Sequence, residues 1–220
     1  MIRWKERDPD AKDMGFDTPI GAVLGEDGVL TVLSWRETAD VAGWLESLSC
    51  AELFSEETAA ALRRRLSPLA AAEGAELSLS SAVTYRLTDP ARVNRGVILP
   101  STRLFSPGDG WENLTECQPD PLGTGQLCFA TVLDGRVVSA ASENPSLGDV
   151  VDVGVETAAP YENRGFAASN VAALAAALLE KGSAVTYTVE DDNPVSRRVA
   201  EKVGFSVLSR DLWAVFTFAL

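Results

Sequence analysis

Residues 149–205 constrain the fold more than any other part of this 220-residue chain. They hold an apolar strand at 150–155, a turn ending Arg164-Gly165-Phe166-Ala167, and an alanine-rich helix that closes at Lys181-Gly182. A second strand at 184–189 leads to Asn193-Pro194, a short helix, and Lys202-Val203-Gly204-Phe205. Strand, turn, helix, strand is the order of a parallel βα unit. Gly165 allows the turn to be tight. The backbone N–H groups of Asn163, Arg164, Gly165, Phe166 and Ala167 then open the helix beside small side chains. Such a terminus suits a phosphate or pyrophosphate, through its unpaired donors and the helix dipole.

The bulk properties narrow the rest. A chain that is 46% hydrophobic with mixed charge has enough apolar material for a core, and disorder is not expected. No apolar run approaches the ~20 residues that span a bilayer, so no membrane partner is expected. The first residues, MIRWKERDPDAKD, are too charged for a secretory signal, which predicts the cytoplasm. Cys50, Cys117 and Cys128 lack metal-ligand spacing and read as reduced thiols. A formal charge of -13 opposes nucleic-acid binding and favours a cationic partner such as an amine. The chain has no histidine. That excludes Ser-His and Cys-His nucleophiles, histidine-ligated zinc and a histidine base, and no metal is expected. Any general base is a carboxylate or a water held by polar groups.

Turn chemistry places two hairpins. One has strands at 22–24 and 29–33 around Glu26-Asp27-Gly28, and the other has strands at 127–133 and 137–141 around Asp134-Gly135. Thr38 or Asp40 caps a helix carrying Val41, Trp44, Leu45 and Leu48 on one face. Residues 51–54 read as a short strand. Ser55 then starts a helix with Leu62 and Leu66 inward. Residues 77–87 alternate as a strand, and Pro100 confines any strand at 97–105 to an edge or a bulge. In the last helix Val195, Val199 and Val203 align on one side, and 206–219 alternates again. The fold class is α/β with a mixed (α+β) sheet. An N-terminal α/β region is expected at 1–88 and a second domain at 89–220.

The two halves of the 149–205 segment together resemble the GNAT superfamily of acyl-CoA-dependent N-acetyltransferases. The motif strand is Asp152-Val153-Gly154-Val155-Glu156-Thr157. The turn is Pro160-Tyr161-Glu162-Asn163-Arg164-Gly165-Phe166-Ala167, and the second motif runs from Asn193 to Phe205. The likeness covers about the last hundred residues. It implies a GNAT-like fold in the C-terminal half, preceded by a smaller region. The segment 49–66 echoes 183–202 in outline, which fits either a degenerate half-copy of the same plan or the common strand–cap–helix order arising twice.

The resemblance also implies roles. Acetyl-CoA would be the acyl donor, wedged where the strands part beyond Val153, Val155 and Thr157. Its pyrophosphate would lie on Asn163, Arg164, Gly165, Phe166 and Ala167, with Ser169 adding a hydroxyl and Asn193 and Ser196 lining the groove. Asp152 stands where relatives carry Glu and is the first choice of base, with Glu143 and Glu156 as alternatives. Tyr187 matches an aromatic position, a pocket residue first and an acid second. Ala200 stands where many members carry a tyrosine acid. Glu162 replaces a usual Arg or Gln and is expected to face away from the pyrophosphate. The implied activity is acetyl transfer to an amine of a small molecule or peptide, by a monomer or homodimer. The alternative is a non-catalytic acyl-CoA-binding or regulatory protein.

Overall fold

The computed structural model describes residues 1–10, 14–105, 127–144 and 149–219; Cys117 lies outside them. By its contacts the chain forms two compact units, Met1–Val83 with Leu208–Leu220, and Thr84–Val207. A single boundary at 88/89 leaves the C-terminal strand with the second domain. The contacts group it with the first, because that strand pairs with the N-terminal hairpin.

In the first unit the strand order is β1 (Ile2–Trp4), β3 (Leu30–Ser34), β2 (Phe16–Gly25), β10 (Ser206–Phe218) and β4 (Ala75–Leu87). β1 and β3 are parallel, whereas β2 is antiparallel to both β3 and β10. Three helices follow the hairpin: α1 (Ala39–Glu46), α2 (Cys50–Leu53) and α3 (Glu56–Glu73). Ile20, Val32, Val41, Leu45, Leu53, Leu62, Leu66 and Leu212 form its core. Residues 51–53 are helical rather than extended, and Phe54 ends the turn. The Ser49 hydroxyl accepts from the Glu52 N–H at 3.3 Å while the Glu52 carboxylate accepts from the Ser49 N–H at 2.8 Å. This reciprocal cap outweighs the apolar character of Leu53 and Phe54. Ser55 caps α3 through the Thr58 N–H, as its position before two acids predicts.

In the second unit the order is β9 (Ala184–Glu190), β8 (Val150–Thr157), β7 (Arg136–Glu143), β6 (Cys128–Leu133) and β5 (Thr102–Leu104). β5 is three residues long and lies at the edge, where the nearby Pro100 can do no harm to a ladder. The β6–β7 turn has both Asp134 and Gly135 at positive φ, 52° and 75°, the conformation a two-residue hairpin prefers. Helix α4 (Phe166–Glu180) packs on β6, β7 and β8, and on α5 (Pro194–Val203). Asn193 caps α5 by accepting from the Ser196 N–H at 3.0 Å, with Pro194 at the first helical position. Only the C-terminal end of the valine stripe is packed. Ala200 and Val203 are buried, whereas Val195 is 53% exposed.

One buried carboxamide ties α4 to the sheet. Asn170 is fully buried. Its Oδ1 accepts from Thr102 Oγ1 at 2.9 Å and Thr131 Oγ1 at 3.1 Å, and its Nδ2 donates to Ser139 O and Oγ, each at 3.0 Å. Both ends of the amide are saturated. Replacing Asn170 by Ala should cost roughly 2–4 kcal/mol, because several buried partners lose their bonds together. The urea-unfolding midpoint measures this, and a loss below ~1 kcal/mol would show the network to be dispensable.

Candidate functional site

A cleft of about 560 Å³ in the second unit opens where β8 and β9 part. β8 pairs in parallel with β9 only at Val150, Val151 and Asp152, yet it continues to Thr157 against β7. The edge of β8 that faces β9 beyond Asp152 therefore lacks a ladder partner, and its backbone groups are available to a ligand. Val155 and Thr157 floor the cleft. The β8–α4 turn and the first turn of α4 form one wall through Tyr161, Glu162, Asn163, Gly165, Phe166 and Ala167. Helix α5 forms the other through Asn193, Val195, Ser196, Arg198, Val199 and Lys202.

Backbone conformation makes the first wall a donor surface. Gly165 is the N-cap of α4 at φ 84°, and no side chain caps the helix. The first intrahelical bond runs from the Ser169 N–H to the Gly165 carbonyl at 3.0 Å. The preceding N–H groups of α4 thus have no helical partner. Asn163 is also left-handed, at φ 60°, and such turns tilt consecutive N–H groups toward one point. A Cβ built on Gly165 meets nothing within 4 Å. The space beside the donors is open, and the helix dipole makes it attractive to an anion.

Eight of the residues expected to hold a cofactor line this cleft: Val155, Thr157, Asn163, Gly165, Phe166, Ala167, Asn193 and Ser196. Three do not. Val153 is 1% exposed, so only its backbone reaches the strand edge. Arg164 is drawn back along the turn, donating to the Pro160 carbonyl at 3.0 Å and lying 5.2 Å from the Tyr161 ring centre. Ser169 lies one turn into α4 and faces the sheet. It is fully buried and bonds the Leu99 N–H at 2.7 Å and Thr102 Oγ1 at 2.6 Å. Glu162 is exposed and is among the lining residues.

The carboxylates divide between the two faces of the sheet, because side chains alternate along a strand. Asp152 and Glu156 share one face of β8. Glu143 pairs with Val153 and shares the other. Asp152 is tightly held. Its Oδ1 accepts from Thr186 at 3.0 Å and Thr188 at 3.2 Å, and its Oδ2 accepts from Asn144 Nδ2 at 2.9 Å. Glu143 accepts from the Leu127 N–H at 2.8 Å. Tyr187 does not line the cleft. It is buried against Phe205, with ring centres 6.0 Å apart. The Cys128 thiol is pushed up to about 12 by burial and cannot act as a nucleophile near neutral pH. Among the described residues no cluster of three or more acids or cysteines could hold a metal.

Sequence reading missed Arg198, Lys202 and Asn144. The two cations lie four residues apart, so helical spacing groups them. It does not say which other element they face. Asn144 reaches Asp152 across Gly154, where an added Cβ would lie 3.0 Å from the Asn144 Oδ1.

A family model described as FR47-like protein, related to GNAT proteins, matches residues 141–214, about a third of the chain. Solved structures match the fold more widely. A GNAT-family protein from Novosphingobium aromaticivorans superposes with a TM-score of 0.53 at 19% identity, over 66% of this chain and 69% of its own. A GCN5-related N-acetyltransferase-like protein from Streptococcus suis gives 0.52 at 18%, over 68% and 66%. A conserved protein of unknown function from Staphylococcus epidermidis gives 0.50 at 8%, over 84% and 81%. This chain has the GNAT fold. It spans about two thirds of the length of the first two structures. No curated protein matches it in sequence. Among the described residues of this GNAT-fold chain, no helix is long and apolar enough to cross a membrane.

The two motif glycines do different work, and stability separates them. Gly204 ends α5 at φ 111°, and a Cβ there would lie 2.2 Å from the Arg92 carbonyl oxygen. Gly165 has only its φ to lose. Gly165→Ala should cost about 1–2 kcal/mol from left-handed strain alone, and Gly204→Ala distinctly more. Equal losses in thermal denaturation would show that the Gly204 contact is easily relieved.

Proposed function

We propose that the second unit binds acetyl-CoA in the β8–β9 cleft and transfers its acetyl group to an amine of a small molecule or peptide. The observation that carries this reading is the uncapped α4 N-terminus, open at Gly165, beside a strand edge without a ladder partner. A pyrophosphate needs clustered donors and positive potential, and the turn supplies both. A pantetheine arm needs amide partners, and residues 153–157 of β8 supply them. The fit extends to shape, since a side chain at position 165 would project into the space the phosphates require.

In the reaction the acceptor nitrogen attacks the thioester carbonyl. An N–C bond forms, the C–S bond breaks, and the thiolate leaves and takes a proton. The amine must lose a proton as it becomes an amide. On this reading Asp152 receives that proton. It lies on β8 at the point where β9 diverges, and Asn144, Thr186 and Thr188 orient it. Those neutral donors hold a carboxylate without neutralising it. Ala200 has no ionisable group, so no acid at that position protonates the thiolate, and on this reading solvent supplies the proton. Glu162 in the cleft wall opposes the phosphates by direct repulsion and weakens binding without abolishing it.

Free acetyl-CoA at ~100 times its dissociation constant should stabilise the protein by ~2.7 kcal/mol in a thermal shift. Gly165→Val should remove most of that shift. If it leaves the shift unchanged, the cofactor sits elsewhere. Glu162→Gln should tighten coenzyme A binding by up to about tenfold at low salt, and less at high salt.

Asp152→Asn tests the base. It should lower turnover on an amine panel roughly 10²–10⁴-fold while leaving acetyl-CoA affinity nearly intact. The loss should shrink at high pH, where the acceptor is already neutral. Full turnover with a lowered melting temperature would make Asp152 structural and move attention to Glu156.

A further inference from the structure

Helix α3 of the first unit carries opposite charges placed symmetrically about its alanines. Glu57 lies in the first turn, Ala59, Ala60 and Ala61 follow, and Arg64 stands one turn further on. Positions 57 and 64 are equidistant from the point between Ala60 and Ala61. Seven residues of helix set their backbones about 10 Å apart. Both side chains are exposed, and neither makes an ion pair among the described residues. The two charges therefore do not meet within one chain. They lie along an open groove. Glu57, Ala61 and Arg64 form its α3 side, and Trp44 of α1, Leu48 and Ala51 form an apolar side next to them. Glu52 also lines the groove, but its carboxylate is held by the Ser49 N–H at 2.8 Å and the Ser49 hydroxyl at 2.6 Å. The Arg65 guanidinium lies 4.7 Å from the Trp44 ring centre, which keeps that cation on the indole. Glu57 and Arg64 are thus the two charges of the groove left without a partner.

We propose that this face joins two copies of the chain about a two-fold axis, with their α3 helices antiparallel. Such a contact requires a patch complementary to itself. With the axis between Ala60 and Ala61, Glu57 of one copy lies opposite Arg64 of the other, and the axis repeats the pair. The small side chains at the axis let two helices approach closely, since interaxial distance follows side-chain size at the contact. Each Arg64 can engage the facing carboxylate through two N–H groups at once. Trp44 and Leu48 add apolar surface beside these pairs, and aromatic residues and arginine are the residue types that carry most contacts between proteins. A different partner would need charges of both signs in the same mirrored order. A second copy supplies that order by construction.

Sedimentation equilibrium over a wide range of concentration tests the proposal. The native chain should form dimers and nothing larger, because a two-fold contact closes on itself. Glu57→Arg and Arg64→Glu, each alone, should weaken dimerisation at least about tenfold, since the axis then sets like charges opposite each other twice. An equimolar mixture of the two variants should dimerise again, because each offers the sign the other lacks. The chain carrying both substitutions should dimerise as the native protein does. Both positions are exposed, and melting temperatures near the native value would establish that the variants are folded. A native chain that stays monomeric throughout overturns the proposal and leaves the groove to a partner of another kind. Dimers that survive either single reversal, or folded variants that neither the mixture nor the double substitution restores, overturn it as well.

Discussion

The Asn170 carboxamide is the interaction on which the geometry of the second unit depends. Through Thr102, Thr131 and Ser139 it bonds to β5, β6 and β7, and Ser139 Oγ carries the chain on to Thr157 Oγ1 of β8 at 2.8 Å. One residue of α4 thus fixes the helix against four strands. Its position is five residues beyond Gly165. The N-terminus of α4 is therefore held in register with the point where β8 leaves β9. An apolar residue of similar size would pack as well and specify less, because directional bonds fix rotation and translation together. Ser169, which the motif alone suggests as a cleft hydroxyl, serves the same purpose from inside the helix.

The cleft is a balance of fixed and mobile charge. Backbone donors at the α4 turn and the cations of α5 make it favourable to anions, in a chain whose net charge is -13. Long-range attraction of an anionic ligand would be poor, so recognition must be local. Backbone dipoles and the side chains of Arg198 and Lys202 in the cleft lining act at short range, where the global field matters little.

Much of this was legible in the residues. Turn pairs such as Asp134-Gly135 need particular backbone angles, and the structure has them. Asn193-Pro194 and Ser55 are local caps whose partners lie three residues away, so no tertiary information is needed to place them. Where local signals competed, the outcome was harder to read. Residues 51–54 carry strand-forming character, but Ser49, just before that window, pairs with Glu52 and decides for helix. The valines of α5 form a stripe, yet only Val203 is buried, while Val195 and Val199 line the cleft.

Sequence by itself determined the elements, the uncapped glycine turn and the absence of any histidine base, since each depends on residue type or on neighbours within one helical turn. Only the tertiary structure decided which side chains share the cleft. It turned Ser169, Val153 and Tyr187 inward, drew Arg164 back to Pro160, and brought Arg198 and Lys202 opposite Gly165. It also grouped the last strand with the first unit by pairing β10 with β2. The physical reason is one of range. Caps and turns are set by bonds spanning a few residues. The face a helix presents is set by what it packs against, and for α5 that contact with α4 is made by residues far back along the chain.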